Sequence, residues 1–431
     1  MLSLFQLIAI LLTLTSAFAW FNHRLLRLPA NIGLLVMGLA ASLLLVGLEF
    51  LFPDTAIHGE LTRIIAQIDF YEAVMNGMLA FLLFAGALHV DLDRLRSRAW
   101  VVGSLATIGV LISMFIVGSG LWALAQLLNM PLSYAWALVF GALIAPTDPV
   151  AVLSTLRAVE VPQSLEMDMT GEALFNDGVG VVFFLITLEL ATHPGDFGLV
   201  HVGQLLMTEA LGGALLGLAT GWIAYRALRS IDDYPIEVMI TLALVMGTYA
   251  LAEPLHVSGP IAVVVAGVLI GNQGAACAMS ETTRRYVFGF WTLIDDTLNA
   301  LLFLLIGLEV LVLHFSPDLL WIGLLTIPIV VFARLASVGI PVFMLSHWYP
   351  FSRGTIAVLT WGGVHGGISI ALALSLPSSS ARMLILAATY AVVLFSIIIQ
   401  GLSLDRVVRR TALADRGTDA SLTQMRGQKI S

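Results

Sequence analysis

The residues with chemistry to offer in this chain sit inside long apolar runs. Gly141-Ala142-Leu143-Ile144-Ala145-Pro146-Thr147-Asp148-Pro149 sets a threonine and an aspartate between two prolines. Each proline removes a backbone donor and disturbs the preceding turn, so a helix is expected to break here and free carbonyl oxygens. Those carbonyls, Thr147 Oγ1 and the Asp148 carboxylate form an all-oxygen set, which suits a hard cation. A proline kink with Asp148 capping a half-helix N-terminus is the alternative. The second segment is Gly171-Glu172-Ala173-Leu174-Phe175-Asn176-Asp177-Gly178-Val179-Gly180. Glu172 and Asn176 are four residues apart, as are Ala173 and Asp177, so the pairs occupy adjoining faces of one helix. Asp177 heads an apolar stretch with no arginine or lysine nearby in sequence. A carboxylate buried among apolar groups favours its protonated form and can exchange a proton near neutral pH. The alternative is a structural carboxylate paired with a neighbouring helix. Arg334, midway along an apolar run, needs a buried anion; Glu172 is the candidate, and a structural ion pair is the main role expected. Trp361-Gly362-Gly363-Val364-His365-Gly366-Gly367-Ile368-Ser369 places four glycines around one histidine. That marks a second broken or closely packed helix, with His365 either titrating or simply packed.

These residues need elements that hold them at membrane depth. The chain has 431 residues, 59% hydrophobic and only 11% charged, with a formal net charge of −8 and a single cysteine, Cys277. Soluble domains are about 25% charged, so an ordinary soluble enzyme, a disordered chain and a disulfide scaffold are excluded. The acidic balance argues against nucleic acid as a partner. An all-α polytopic membrane protein remains. About 20 apolar residues cross a bilayer, and such runs fall at 4–21, 30–52, 70–90, 99–128, 134–156, 165–192, 200–228, 236–252, 257–273, 289–314, 319–346, 354–376 and 382–405. That predicts about 13 transmembrane helices, or twelve if the eighth and ninth fuse across Ala252-Glu253-Pro254 and His256. The first run carries its arginines after the apolar stretch, the reverse of a signal peptide, and is expected to be retained.

With thirteen spans, Arg24, Arg27, Arg94, Arg96, Arg98, Arg157, Arg226, Arg229, Arg284, Arg285 and Arg353 fall on one side together with the basic tail, and Arg63 and Arg382 on the other. The positive-inside rule then puts the N-terminus outside and the C-terminus in the cytoplasm. Residues 1–405 form the membrane domain; 406–431, with Lys429, read as a short cytoplasmic tail. The two interrupted runs are seven spans apart and so run in opposite directions. Paired interruptions of this kind mark the midplane site of a secondary transporter built from inverted halves. Asp295, Asp296 and Asn299, with Glu309 further along, could line a cation funnel or act as caps. Glu189 and Glu209 are expected near an interface.

Two carboxylates brought together in a low dielectric need a proton or a cation to neutralise them, so binding of one displaces the other. If only the neutralised carrier changes the side to which it opens, coupled exchange follows. There is no Gly-x-x-x-x-Gly-Lys-[Ser/Thr] loop and no thiolate cluster, so an ion gradient rather than ATP is the expected energy source, with no cofactor and no catalysis of a covalent reaction. An intramembrane aspartyl protease would want Gly-x-Gly-Asp and Pro-Ala-Leu, which the sequence lacks. A passive channel would not need the paired breaks.

Ala-Pro-Thr-Asp-Pro-Val (145–150), Gly-Glu-Ala-Leu-Phe-Asn-Asp-Gly-Val-Gly (171–180), Arg334 and Trp-Gly-Gly-x-x-Gly-Gly-Ile-Ser (361–369) resemble, in order, the motifs of monovalent cation/proton antiporters of the NhaP and eukaryotic sodium/proton exchanger type. Phe84–Leu92 matches bacterial members of the group. The resemblance implies the inverted-repeat antiporter fold with two broken crossing helices, and a homodimer in the bacterial inner membrane whose core domain moves like an elevator. It implies Na⁺ (or Li⁺ or K⁺) and H⁺ as the exchanged ions. Asp177 would be the exchanging carboxylate; Thr147 and Asp148 would build the Na⁺ site with it, Asn176 would support it, and Glu172 would pair with Arg334. The Asn176-Asp177 pair is the form associated with electroneutral exchange. The chain differs from some relatives at Ala85 and Ala173, where a glutamate and a serine contribute to ion binding, and at His365, where arginine is usual.

Overall fold

The computed structural model describes residues 3–51, 70–148, 161–193, 199–310 and 317–411. These residues form helices without strands, as a chain in hydrocarbon must when each backbone polar group needs an internal partner. In chain order they are α1 (Phe5–Leu26), α2 (Ala30–Leu51), α3 (Glu72–Leu88), the short α4 (Leu92–Ser97), α5 (Ala99–Leu127), α6 (Tyr134–Ile144), α7 (Gln163–Thr192), α8 (Gly203–Leu228), α9 (Tyr234–Ala252), α10 (Gly259–Cys277), α11 (Glu281–Glu309), α12 (Pro317–Leu345), α13 (Thr355–Gly362), α14 (Gly367–Leu374) and α15 (Ser380–Thr411). Arg63, Pro149, Arg157 and Lys429 lie outside the described residues.

Ten of these helices are long and apolar enough to cross a membrane; α13 and α14, bent by 44° at their junction, bring the number to eleven when taken as one span. α3 and α6 are apolar but shorter, so the expected thirteen is not reached on length and composition among the described residues. α6 itself ends at Ile144, just before Pro146, and the second half of the fifth run, 149–156, lies outside the described residues. The eighth and ninth runs are separate helices. α9 closes at Ala252, His256 adopts a left-handed φ of 53°, and the Ser258 side chain accepts from Ile261 N–H to start α10. The polar tail begins within α15, which continues to Thr411.

Apolar surface points both ways, as expected of helices in lipid. The buried cluster draws on α2, α3, α5, α6, α7, α10, α11, α12, α14 and α15, while Trp20, Leu215, Trp222, Phe343 and others face outward. α2 packs along α11, where the Ser42 hydroxyl donates to Gly307 O at 3.0 Å. α7, which bears the two-faced motif, lies against α5, α6 and α10. Two breaks interrupt this helical packing, at 145–148 after α6 and at 363–366 between α13 and α14, and the site is built where they meet.

Candidate ion-binding site

The breaks follow from local sequence. Pro146 has no backbone N–H to donate and crowds the turn before it, so α6 stops and Pro146-Thr147-Asp148 continue without helical structure. On the other side, four glycines across 362–367 leave α13 little side-chain packing to continue on. The two exposed backbones satisfy each other: Asp148 N–H donates to Val364 O at 2.6 Å. Between them sits His365, 3% exposed, its Nδ1 3.1 Å from Pro146 O. A carbonyl only accepts, so Nδ1 is the protonated ring nitrogen. Ser396 of α15 closes the arrangement, accepting from His365 N–H and donating to His365 O. In this chain His365 thus staples the two breaks together.

Close approach at the crossing needs glycine. A Cβ on Gly366 would lie 2.5 Å from Asp148 Oδ2, and one on Gly363 would lie 2.2 Å from Arg334 Nε. The Arg334 guanidinium therefore lies flat against the second break. It donates to Leu359 O near the end of α13, which also accepts from Gly363 N–H, and forks onto both Glu172 oxygens, with Nη2 2.9 Å from Oε2. Both residues are buried. The pairing expected for Arg334 is present, and it also caps a broken helix.

α7 presents two faces to this centre. Asp168, Glu172 and Asn176, at intervals of four, form the anchoring face. Glu172 holds Arg334, and the Asn176 amide donates to Thr147 Oγ1 at 3.0 Å. Asn176 is fully buried, and its Oδ1 has no hydrogen-bond partner among the described residues. Asp168 receives the guanidinium of Arg98 in a two-pronged ion pair, with Nε 2.8 Å from Oδ1. Arg98 also donates to Pro350 O and lies over the Phe351 ring. Sequence reasoning missed this pair, counting Arg98 as an interfacial marker; the repeat of four from Glu172 back to Asp168 was the available signal. Arg98 and Arg334 are thus both buried arginines.

The other face of α7, Thr170, Ala173, Leu174 and Asp177, lines a cavity of about 130 Å³. Asp148 and Pro146 of the first break, Gly366 and Ser369 of the second, and Asp295 and Asn299 of α11 line it too. Asp177 is 9% exposed, makes no hydrogen bond among the described residues, and is close enough to Asp148 for their charges to interact. Asn299 is buried and donates to Asp295 Oδ1 at 3.0 Å. Of the acidic residues expected to form a funnel, Asp295 and its partner Asn299 reach the cavity. Asp296 is exposed, and Glu309 is buried at the far end of α11. Ala173 lines the cavity and Ala85 is buried without doing so, so neither of these relative-specific ligand positions supplies oxygen here. Arg382 donates to Leu374 O, capping α14. The structure thus brings Asp148 and Asp177 onto one cavity, with Thr147 and Asn176 hydrogen-bonded behind them.

The transmembrane sodium/hydrogen exchanger family matches residues 10–410. The chain is 46% identical over 415 residues to the Na⁺/H⁺ antiporter NhaP of Pseudomonas aeruginosa, covering 94% of this chain and 96% of that one. It is 35% identical over 397 residues to the Na⁺/H⁺ antiporter NhaH of Halobacillus dabanensis, covering 90% and 94%. The solved structure of the sodium proton antiporter MjNhaP1 from Methanocaldococcus jannaschii superposes with a TM-score of 0.72 over 94% of this chain and 98% of that one, at 21% identity, and so shares the fold. Ten apolar helices and these relatives make the chain an integral membrane protein, and it belongs to the transmembrane sodium/hydrogen exchanger family.

Proposed function

We propose that this chain is a secondary active antiporter that exchanges Na⁺ for H⁺ across the membrane. The observation that carries the reading is the Asp177 carboxylate, nine-tenths buried and without a hydrogen-bond partner among the described residues, sharing a cavity with Asp148 where two broken helices cross. Such a pair of carboxylates in a low dielectric requires compensation. Na⁺ supplies it with Asp177, Asp148 and Thr147 as ligands and Asn176 in support; in its absence a proton on Asp177 does. Occupancy by one ion excludes the other. Alternating access of the occupied site, which carries the same charge with either ion, then couples the two fluxes, and one carboxylate that exchanges one proton for one monovalent cation makes the cycle electroneutral.

The Glu172–Arg334 pair holds the site rather than taking part in exchange. The family's transporter character accords with a role outside enzyme catalysis, and no step calls for a cofactor. Residues 1–405 form the exchanging unit and 406–431 a cytoplasmic tail. The asymmetry of the arginines supports an N-terminus outside a bacterial inner membrane, and the family resemblance supports a homodimer.

The test is purified protein in liposomes carrying an internal pH dye and an imposed pH gradient. Addition of Na⁺ is expected to dissipate the gradient, with Li⁺ and K⁺ run in parallel to rank the cations. Absence of any cation-dependent signal at every pH from about 6 to 9, on both sides of neutrality, would overturn the reading. Full exchange by an Asp177→Asn variant would leave the activity standing and remove Asp177 from its role.

A further inference from the structure

At the end of α1 the helix loosens into a wider turn over Asn22–Leu26 and stops at Arg27, whose φ of 55° is left-handed. This ending is locked from inside. Asn22 is buried; its Nδ2 donates to Leu28 O at 3.0 Å and its Oδ1 accepts from Leu28 N–H at 3.2 Å. Gly33 of α2 leaves just enough room for that amide, since a Cβ there would lie 2.3 Å from Asn22 Nδ2. The turn therefore holds one shape without its outward-facing side chains, and those side chains are His23, Arg24 and Arg27, all exposed. They line a recess of about 980 Å³ between α1 and α2. Neither arginine has an acidic partner among the described residues. Beside them in the chain, Trp20, four residues before Arg24, is 67% exposed, and Leu25, between the two arginines, is 60% exposed.

An aromatic side chain and two arginines at the end of an apolar span mark the depth at which lipid headgroups lie. A guanidinium matches a phosphate with paired hydrogen bonds, and two of them on a rigid turn lose little freedom on binding. The exposed apolar side chains of Trp20 and Leu25 on the same helix end fit a chain attached to that phosphate, which a free anion would leave unused. We propose that this recess is a binding site for an anionic phospholipid, its phosphodiester held by Arg24 and Arg27 and its acyl chains lying along Trp20 and Leu25. The site is remote from the ion cavity in sequence and shares no residue with it. Because α1 and α2 both pack on α11, which lines the cavity, the lipid would stiffen the frame beside the transport site.

The experiment uses the full-length protein in bilayers containing spin-labelled lipids. Labelled phosphatidylglycerol is expected to associate on the order of tenfold more strongly than labelled phosphatidylcholine, the scale set by two basic groups at a membrane surface. An Arg24→Gln/Arg27→Gln variant is expected to show equal association of both lipids. An Arg284→Gln/Arg285→Gln variant, which removes the same charge elsewhere, is expected to keep the preference. Retention of the preference by the first variant, or an equal loss in both, would overturn the proposal. Displacement of the label by millimolar inorganic phosphate would also overturn it, by making the recess a small-anion site. Cation-driven proton flux of the first variant in phosphatidylcholine liposomes checks that it is folded. The single Arg24→Gln and Arg27→Gln variants supply the same comparison from a milder change, and a full preference in both would count against the site.

Discussion

At the scale of single residues, the site is set by what is left unsatisfied. Asn176 spends its amide N–H on Thr147 and buries an Oδ1 that accepts from nothing among the described residues. A buried acceptor without a donor costs about 1–3 kcal/mol, and a cation arriving beside Thr147 offsets that cost. Asn176→Ala is therefore expected to raise the half-saturating Na⁺ concentration about tenfold or more, each tenfold being about 1.4 kcal/mol. The measurement is exchange rate against Na⁺ concentration in proteoliposomes, and an unchanged half-saturation would detach Asn176 from the cation. Gly366 makes the opposite point, that some positions serve by being empty. With its would-be Cβ 2.5 Å from Asp148 Oδ2, Gly366→Ala has to push the carboxylate or the crossing backbone aside. Loss of most exchange is expected although no ligand is removed, while Gly247→Ala, at a position open on every side, is expected to leave exchange intact.

At the scale of elements, α7 is the part that relates anchors to the cavity. Its three anchoring residues grip three different places: Asp168 takes Arg98 at the start of α5, Glu172 takes Arg334 of α12, and Asn176 takes Thr147 at the first break. Each grip fixes the rotation of α7 and so the direction in which Asp177 points. Removing one partner of a buried pair strands a charge, at a cost of about 3–5 kcal/mol, whereas replacing both with apolar groups of similar volume is often neutral or better. Glu172→Gln and Arg334→Met are each expected to lower thermal stability sharply, and Glu172→Met/Arg334→Met to recover it, as followed by the unfolding midpoint in detergent. Failure of the double variant to recover would mean that Arg334 matters chiefly as the cap on Leu359 O. Much of this was legible in the sequence. Pro146 and the glycine run around His365 announced the two breaks, and a charge placed mid-span needs a reason, so Asp148, Glu172, Asp177 and Arg334 stood out. Asp168 and Arg98 did not, because an arginine near the end of an apolar run looks the same whether it meets water or a buried carboxylate. The hydrogen bond from Asp148 N–H to Val364 O was beyond reading, since it joins segments more than two hundred residues apart through backbone atoms that every residue but proline carries.

At the scale of the whole molecule, the arrangement makes the proton and the cation alternatives rather than companions. The cavity is small, about 130 Å³, and its two carboxylates come from different segments, Asp148 from a break and Asp177 from α7. If a proton and Na⁺ compete for Asp177, acid conditions protonate the carboxylate and weaken Na⁺ binding without disabling the carrier. The sign is fixed: as pH falls, a larger fraction of empty sites is protonated and more Na⁺ is needed to displace the proton. Wherever most empty sites are protonated, mass action requires the half-saturating Na⁺ concentration to rise about tenfold for each pH unit lost. Saturating Na⁺ should restore nearly the full rate, because the competition can be won from either side. Initial rates measured over a range of Na⁺ concentrations at several pH values separate this from its rival. A maximal rate that falls with pH at constant half-saturation would place the controlling proton on a group other than Asp177, and would turn attention to His365, which ties the two breaks together through Pro146 and Ser396.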